Sequence, residues 1–204
     1  MRVKFMQCRT HIAFGIAVNL AIAHTGDIKS LLVTLSGAAI GSAISDIDSS
    51  NSESSQILNK ITVTMLVTVA LFVIVNYIFG LKVIDKIVEH KNITNILIGL
   101  LLFLFVSIIG SYTKHRTFMH SFTCVAIYFV VLSSFLSTTF VIPFSIGMVS
   151  HIVLDLLNHI GVGLFCPFVE KRYCIDICDS NGLVNSILFY ISVVVAAYFY
   201  VMTF

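Results

Sequence analysis

Charge is scarce in this chain. Asp, Glu, Lys and Arg together make up 11% of its 204 residues, against roughly 25% in soluble domains. Apolar residues make up 58%, and the mean hydropathy is +1.01. A soluble fold of this length cannot bury that much apolar surface, because the buried fraction is bounded by chain length. A bilayer lifts that bound, so the composition excludes a soluble domain and makes lipid the chain's main partner. The net charge of +2, with no basic stripe, excludes a nucleic-acid partner. Several motifs are missing as well: HExxH, a P-loop, GxGxxG ahead of a helix, and GxSxG. Their absence removes support for metalloprotease, P-loop nucleotide, dinucleotide and serine-hydrolase chemistry. No internal repeat, low-complexity tract or composition break divides the chain, so residues 1–204 form one integral membrane domain. There is no CxxC either. Of the five cysteines, Cys8 and Cys124 sit in or beside apolar segments and read as inert. Cys166, Cys174 and Cys178 cluster, but without zinc-knot spacing; a reduced cytoplasmic loop is the plainer reading beside a zinc knot.

What is present is a series of long apolar runs. A spanning helix needs about 20 apolar residues. Ile61 to Leu81 and Ile93 to Tyr112 meet that length. His120 to Ile142 is expected to stop at Pro143, and Leu183 to Phe204 fills the C-terminus. Three runs are shorter or more polar: Ile12 to Ala23, the Gly/Ala/Ser-rich Leu31 to Ser45, and Phe144 to Ile160. The expected fold is therefore all-α, a polytopic bundle of about six to seven transmembrane or membrane-embedded helices. Arg2, Lys4 and Arg9 ahead of an apolar run ending Ala21-Ile22-Ala23 imitate a signal peptide. More membrane helix follows, so the run reads as a retained first helix. Seven alternating spans place Arg2, Lys4, Arg9, Lys60, Lys114, Arg116, Lys171 and Arg172 on one side, and Lys29, Lys82, Lys86 and Lys91 on the other. The positive-inside bias then puts the N-terminus in the cytoplasm.

Against this background the polar residues carry the information. Asp, Lys or Arg at a helix centre costs about 2.5–3.5 kcal/mol on insertion scales. Four groups stand out. His11 heads the first apolar run; alone it reads as an interfacial or capping residue. Asp46-Ile47-Asp48 follows the small-residue run. In extended chain both carboxylates would share a face, while a solvated turn is the alternative. Lys114-His115-Arg116-Thr117-Phe118-Met119-His120-Ser121 precedes the next apolar run. It reads as an orientation signal, or as imidazole metal ligands with an arginine suited to phosphate and a helix start that favours anions. The fourth group is Ser150-His151-Ile152-Val153-Leu154-Asp155-Leu156-Leu157-Asn158-His159. His151 and Asp155 stack at i, i+4, and Asn158 and His159 are expected to continue the stripe by a turn.

With alternating spans all four groups fall at one membrane face. Mixed His and carboxylate ligands suit zinc, manganese or iron more than magnesium or calcium. Three histidines and three aspartates are enough for two ions, and a two-metal site clamps the attacking and leaving oxygens of a displacement.

These residues resemble the motifs of the YdjM-like membrane-bound metal-dependent hydrolases, a family of inner membrane proteins whose bacterial prototype is LexA-regulated. The likeness lies in Thr10-His11 before an apolar run and in a small-residue helix ending Ser45-Asp46-Ile47-Asp48. It continues in His115-Arg116-Thr117-Phe118-Met119-His120-Ser121 and in Ser150 through Asp155 with Gly161 and Phe165-Cys166-Pro167-Phe168. Ser45, Thr117 and Met119 replace the family's usual proline, glycine and threonine, and no ligand position is lost. The resemblance implies a metal-dependent hydrolase of the inner membrane. One or two divalent ions, zinc foremost with manganese or iron as alternatives, would be held by His11, Asp46, Asp48, His120, His151 and Asp155. A distant likeness to zinc phospholipase C and P1-type nucleases implies phosphoester hydrolysis of a small molecule or lipid headgroup. Arg116 and His115 would then stabilise developing charge. Two further readings remain: a metal- or proton-handling transporter without hydrolysis, and a structural protein using polar groups as glue.

Overall fold

The computed structural model describes residues 8–23, 26–49, 91–177 and 182–203, with a few isolated positions between 56 and 80. Within them the chain is helical: α1 (Cys8–Ile22), α2 (Ile28–Ile44), α3 (Lys91–Ser111), α4 (Phe122–Ser133), α5 (Thr138–Leu156) and α6 (Gly182–Thr203). Short 3-10 turns occupy Ser45–Asp48 and Phe118–His120. No strand forms among the described residues beyond one isolated bridge, Val162 with Tyr173. Four helical stretches are long and apolar enough to cross a membrane: Ile28–Asp48, Ile93–Ser111, Thr138–Leu156 and Leu183–Met202. α1 and α4 are shorter apolar helices. The chain is thus an integral membrane protein. The expected span Ile61 to Leu81 lies outside the described residues.

α1, α2 and α5 pack together to frame the site, while the buried apolar cluster joins the end of α2 and both 3-10 turns to α4 (Cys124, Tyr128, Leu132) and α5 (Val141, Phe144, Met148). α2 starts at Asp27, whose carboxylate accepts from the Lys29 and Ser30 amides at 2.8 and 3.0 Å, satisfying donors that a helix start leaves orphaned. Its small residues let it press onto α5. Gly37 and Gly41, four apart, lie against the backbone of Phe140 and Phe144, where an added Cβ would collide with main-chain atoms. This is the small-xxx-small approach that membrane helices use when lipid offers no hydrophobic drive for association. Ser42 Oγ donates to Ala38 O at 2.8 Å and reaches Gly147 O at 3.3 Å. Asn19 on α1 donates to Gly15 O at 2.9 Å and to Pro143 O on α5 at 3.3 Å. Thr10 Oγ1 donates to Asn185 Oδ1 at 2.8 Å, tying α1 to α6. These contacts run α2 and α5 parallel to each other and α1 antiparallel to both. The first turns of α1 therefore meet the last turns of α2 and α5.

Two expected boundaries move. The break near Pro143 falls earlier, at Ser134–Ser137, and Pro143 sits inside α5. Ser134 Oγ donates to Val131 O at 2.6 Å and Ser137 occupies the next helix's N-cap position. Serine side chains offer the backbone such local alternatives to helix, whereas interior proline is tolerated in membrane helices. α5 also stops at Leu156 rather than Ile160. The returning chain takes its last carbonyls: Ile175 N donates to Leu156 O at 2.7 Å and Ile177 N to Leu157 O at 3.1 Å.

Candidate metal centre

The helix ends deliver a compact buried cluster. From α1 comes His11, 2% exposed; from α5 come His151 and Asp155, at 0% and 2%. One ligand atom from each lies within 4.8 Å of the others. Asp46, His115 and His120 form a second group of the same tightness. The groups interlock. Asp155 Oδ2 is 3.1 Å from His120 Nε2 and 3.6 Å from His151 Nε2, and Asp46 Oδ1 is 3.5 Å from His151 Nε2. The His11 and His151 rings stack with centroids 3.8 Å apart.

Asp46 and Asp48 do not share a face of extended chain. They sit in a 3-10 turn that continues α2, and the turn aims them differently. Asp46 points toward His151 and His120. Asp48 accepts from His115 Nδ1 at 2.8 Å and from the Arg116 amide at 3.1 Å, and lies 3.4 Å from His120 Nδ1. A carboxylate behind an imidazole fixes its tautomer and orientation. His151 is held similarly, its Nδ1 at 2.7 Å from the Ser42 carbonyl. A carbonyl only accepts, so Nδ1 carries the proton and Nε2 presents its lone pair.

The Arg116 guanidinium is committed within the cluster. Nη2 donates to Asp155 Oδ1 and Nη1 to Ile160 O, both at 2.7 Å, and the residue is 2% exposed. Its backbone is left-handed, with φ 62°, a conformation costing a non-glycine residue about 1–3 kcal/mol. The Asp48 carboxylate on its amide and Gly163 N donating to its carbonyl at 2.9 Å hold it there.

His159 does not extend the stripe. It lies beyond the end of α5, is exposed, and pairs with Asp176; a helix that has ended no longer places i+8 beneath i. Asn158 is buried, its amide donating to Asp155 O at 3.2 Å. Neither Cys166 nor Cys174 belongs to a metal-holding group among the described residues, and both are free thiols. Cys178 lies outside those residues.

The donor set fits a cation. His11 Nδ1, both ring nitrogens of His120 and His151 Nε2 are buried and make no well-aligned hydrogen bond, although carboxylate oxygens lie 3.1–3.6 Å from the His120 and His151 nitrogens; such a buried set is costly unless an ion relieves it. With neutral imidazoles, the three carboxylates and Arg116 leave a formal charge of −2 in a buried place. Buried charge is retained only when paired or bound to metal. The same field acts on His120: burial lowers its pKa, but the Asp155 and Asp48 carboxylates outweigh this and raise it. The site attracts positive charge.

Sequence reasoning missed the Ser42 carbonyl, for which a side-chain reading holds no signal, and it gave His115 a charge-stabilising role where its ring stands with Asp46 and His120 among groups able to hold an ion. It also missed the Gly37-x-x-x-Gly41 spacing that seats α2 on α5, which was legible.

The YdjM inner membrane protein family model matches residues 6–203 of the chain. No curated protein and no solved structure matches it.

Proposed function

The chain belongs to the YdjM inner membrane protein family, and from that premise we propose that it is a metal-dependent phosphoester hydrolase working at one face of the membrane. The observation carrying this reading is the interlocked pair of anionic His/Asp groups, one fully buried and one partly so, where the ends of α1, α2 and α5 meet. His11, His151 and Asp155 would hold one divalent ion, and Asp46, His120 and His115 a second; Asp155 also lies close to His120, and Asp46 to His151. Asp48 takes the supporting role of fixing His115 and His120. Zinc is the preferred ion for this mix of imidazole and carboxylate, with manganese or iron next. When bound, such ions supply Lewis acidity that lowers the pKa of water toward neutrality and polarises a phosphoryl oxygen.

The chain's own residues do the rest. With one divalent ion held, the cluster's −2 would be neutralised, and with two it would stand at +2, a charge that favours an anionic phosphoryl group. Arg116 holds Asp155 in place and adds its charge at the reacting end. Asp46 and His115, at 15% and 26% side-chain exposure, are the members of the cluster that reach toward solvent. The phosphoester group would therefore reach the cluster on the side of Asp46 and His115, at the membrane surface, with the N-terminus in the cytoplasm. The test is metal analysis of the purified chain together with hydrolysis of a generic phosphoester such as p-nitrophenyl phosphate or its bis ester. The reading expects one to two equivalents of zinc or manganese and turnover lost in Asp155→Asn. A folded, monodisperse protein that binds no divalent metal would sink it.

A further inference from the structure

Residues 157–177, which follow α5 on the way to α6, are not helical, and the connection joins two membrane-spanning helices, so it lies at a membrane surface. Irregular backbone is not tolerated against lipid within the hydrocarbon core. This segment folds back through the Val162–Tyr173 bridge and carries two kinds of side chain that a water-facing loop has little reason to combine. Phe168 is 82% exposed and Phe165 45%, with Ile175 and Ile177 also exposed. Lys171 and Arg172 accompany them, exposed too. The same segment borders a cleft of about 440 Å³ lined by Lys114, Thr117, Cys166, Pro167, Glu170 and Arg172 among others, and Phe165 and Phe168 flank its Cys166 and Pro167 in the chain. It adjoins the metal centre, since Lys114 and Thr117 flank His115 and Arg116 in the chain. Arg172 Nη2 donates to the His115 carbonyl at 3.4 Å, and Gly163, also in the lining, donates to the Arg116 carbonyl at 2.9 Å.

We propose that this cleft seats the headgroup of an anionic phospholipid, with Phe165 and Phe168 embedded beside its acyl chains. Lys114 and Arg172 give the lining a positive balance against the single acid Glu170, and Lys171 is the chain neighbour of Arg172. An anionic headgroup draws on those cations, and the apolar rim draws on the acyl boundary at the same depth. A free phosphate would use the first and have no use for the second. The role of this seat as the substrate's own rests on the hydrolase reading; the binding itself does not.

The test is native mass spectrometry of the full chain in detergent, titrated with phosphatidylglycerol or phosphatidylcholine, with metal content measured on the same preparation. Phosphatidylglycerol is expected to bind more tightly. The Lys114→Gln, Arg172→Gln double variant should lose about 30-fold of that affinity, from the usual attraction of two basic residues to an anionic lipid surface. Phe168→Ser should weaken both lipids. The charge-keeping Lys114→Arg, Arg172→Lys pair should retain the preference, which separates lost charge from lost fold. Equal binding of the two lipids by wild type, or an unchanged double variant, overturns the seat. So does displacement of phosphatidylglycerol by inorganic phosphate with Phe168→Ser indistinguishable from wild type. Lipid selectivity without metal would leave the seat standing and the hydrolase fallen; metal without selectivity would do the reverse.

Discussion

Asp48→Asn isolates the difference between holding a metal and holding its ligands. The carboxylate faces three donors: His115 Nδ1 at 2.8 Å, the Arg116 amide at 3.1 Å and His120 Nδ1 at 3.4 Å. An asparagine keeps one oxygen and turns an NH2 toward the other side. Whichever way it flips, one imidazole meets a donor where it had an acceptor, and its tautomer and ring angle are no longer fixed. Removing such an outer partner typically weakens metal affinity 10–100-fold, about 1.4–2.8 kcal/mol. The assay is zinc competition against a chromogenic chelator on the detergent-purified chain, with thermal unfolding as the fold control. Asp155→Asn in the same assay should abolish tight binding, because it removes a ligand placed between both groups. Affinity of Asp48→Asn within about threefold of wild type would refute the supporting role. Loss of a whole equivalent of metal would make Asp48 a ligand instead.

Four further outcomes follow from the same geometry. Arg116→Met leaves Asp155 buried without its guanidinium; it should destabilise the chain by about 3–5 kcal/mol, read by thermal unfolding, and a neutral result would show that the pair is dispensable. Gly41→Leu places a side chain where the Phe144 carbonyl lies and should cost about 1–3 kcal/mol or more by overpacking, again seen as a lowered Tm. His159→Ala, exposed and outside the cluster, should change stability by no more than about 0.5 kcal/mol and leave bound metal unchanged; a fall in metal content would return His159 to the site. Stripping metal with a chelator should lower the unfolding temperature, since an ion present at 100 times its Kd stabilises the folded state by about 2.7 kcal/mol. An unchanged Tm after complete removal would count against a metal held in the core.

Composition alone determined that this chain lives in lipid. Charged residues at 11% and mean hydropathy of +1.01 leave no soluble alternative, since burial in water is limited by chain length. Sequence also marked His11, Asp46, Asp48, His115, Arg116, His120, His151 and Asp155 as misplaced polar residues, because in hydrocarbon each one needs a reason to exist. Periodicity placed His151 and Asp155 on one face, a purely local property of the helix. Where helices end was harder to read. Ser134–Ser137, not Pro143, breaks the chain, and α5 stops before Asn158 because the strand-like return at Ile175 and Ile177 takes its carbonyls. Those are contacts between distant segments, and no local pattern encodes them. Tertiary structure alone decided how Asp48 differs from Asp46. The two are separated by one residue and share the same chemistry. One turn of 3-10 helix, docked on the His115–Arg116 backbone, aims one carboxylate among the imidazoles and the other behind them.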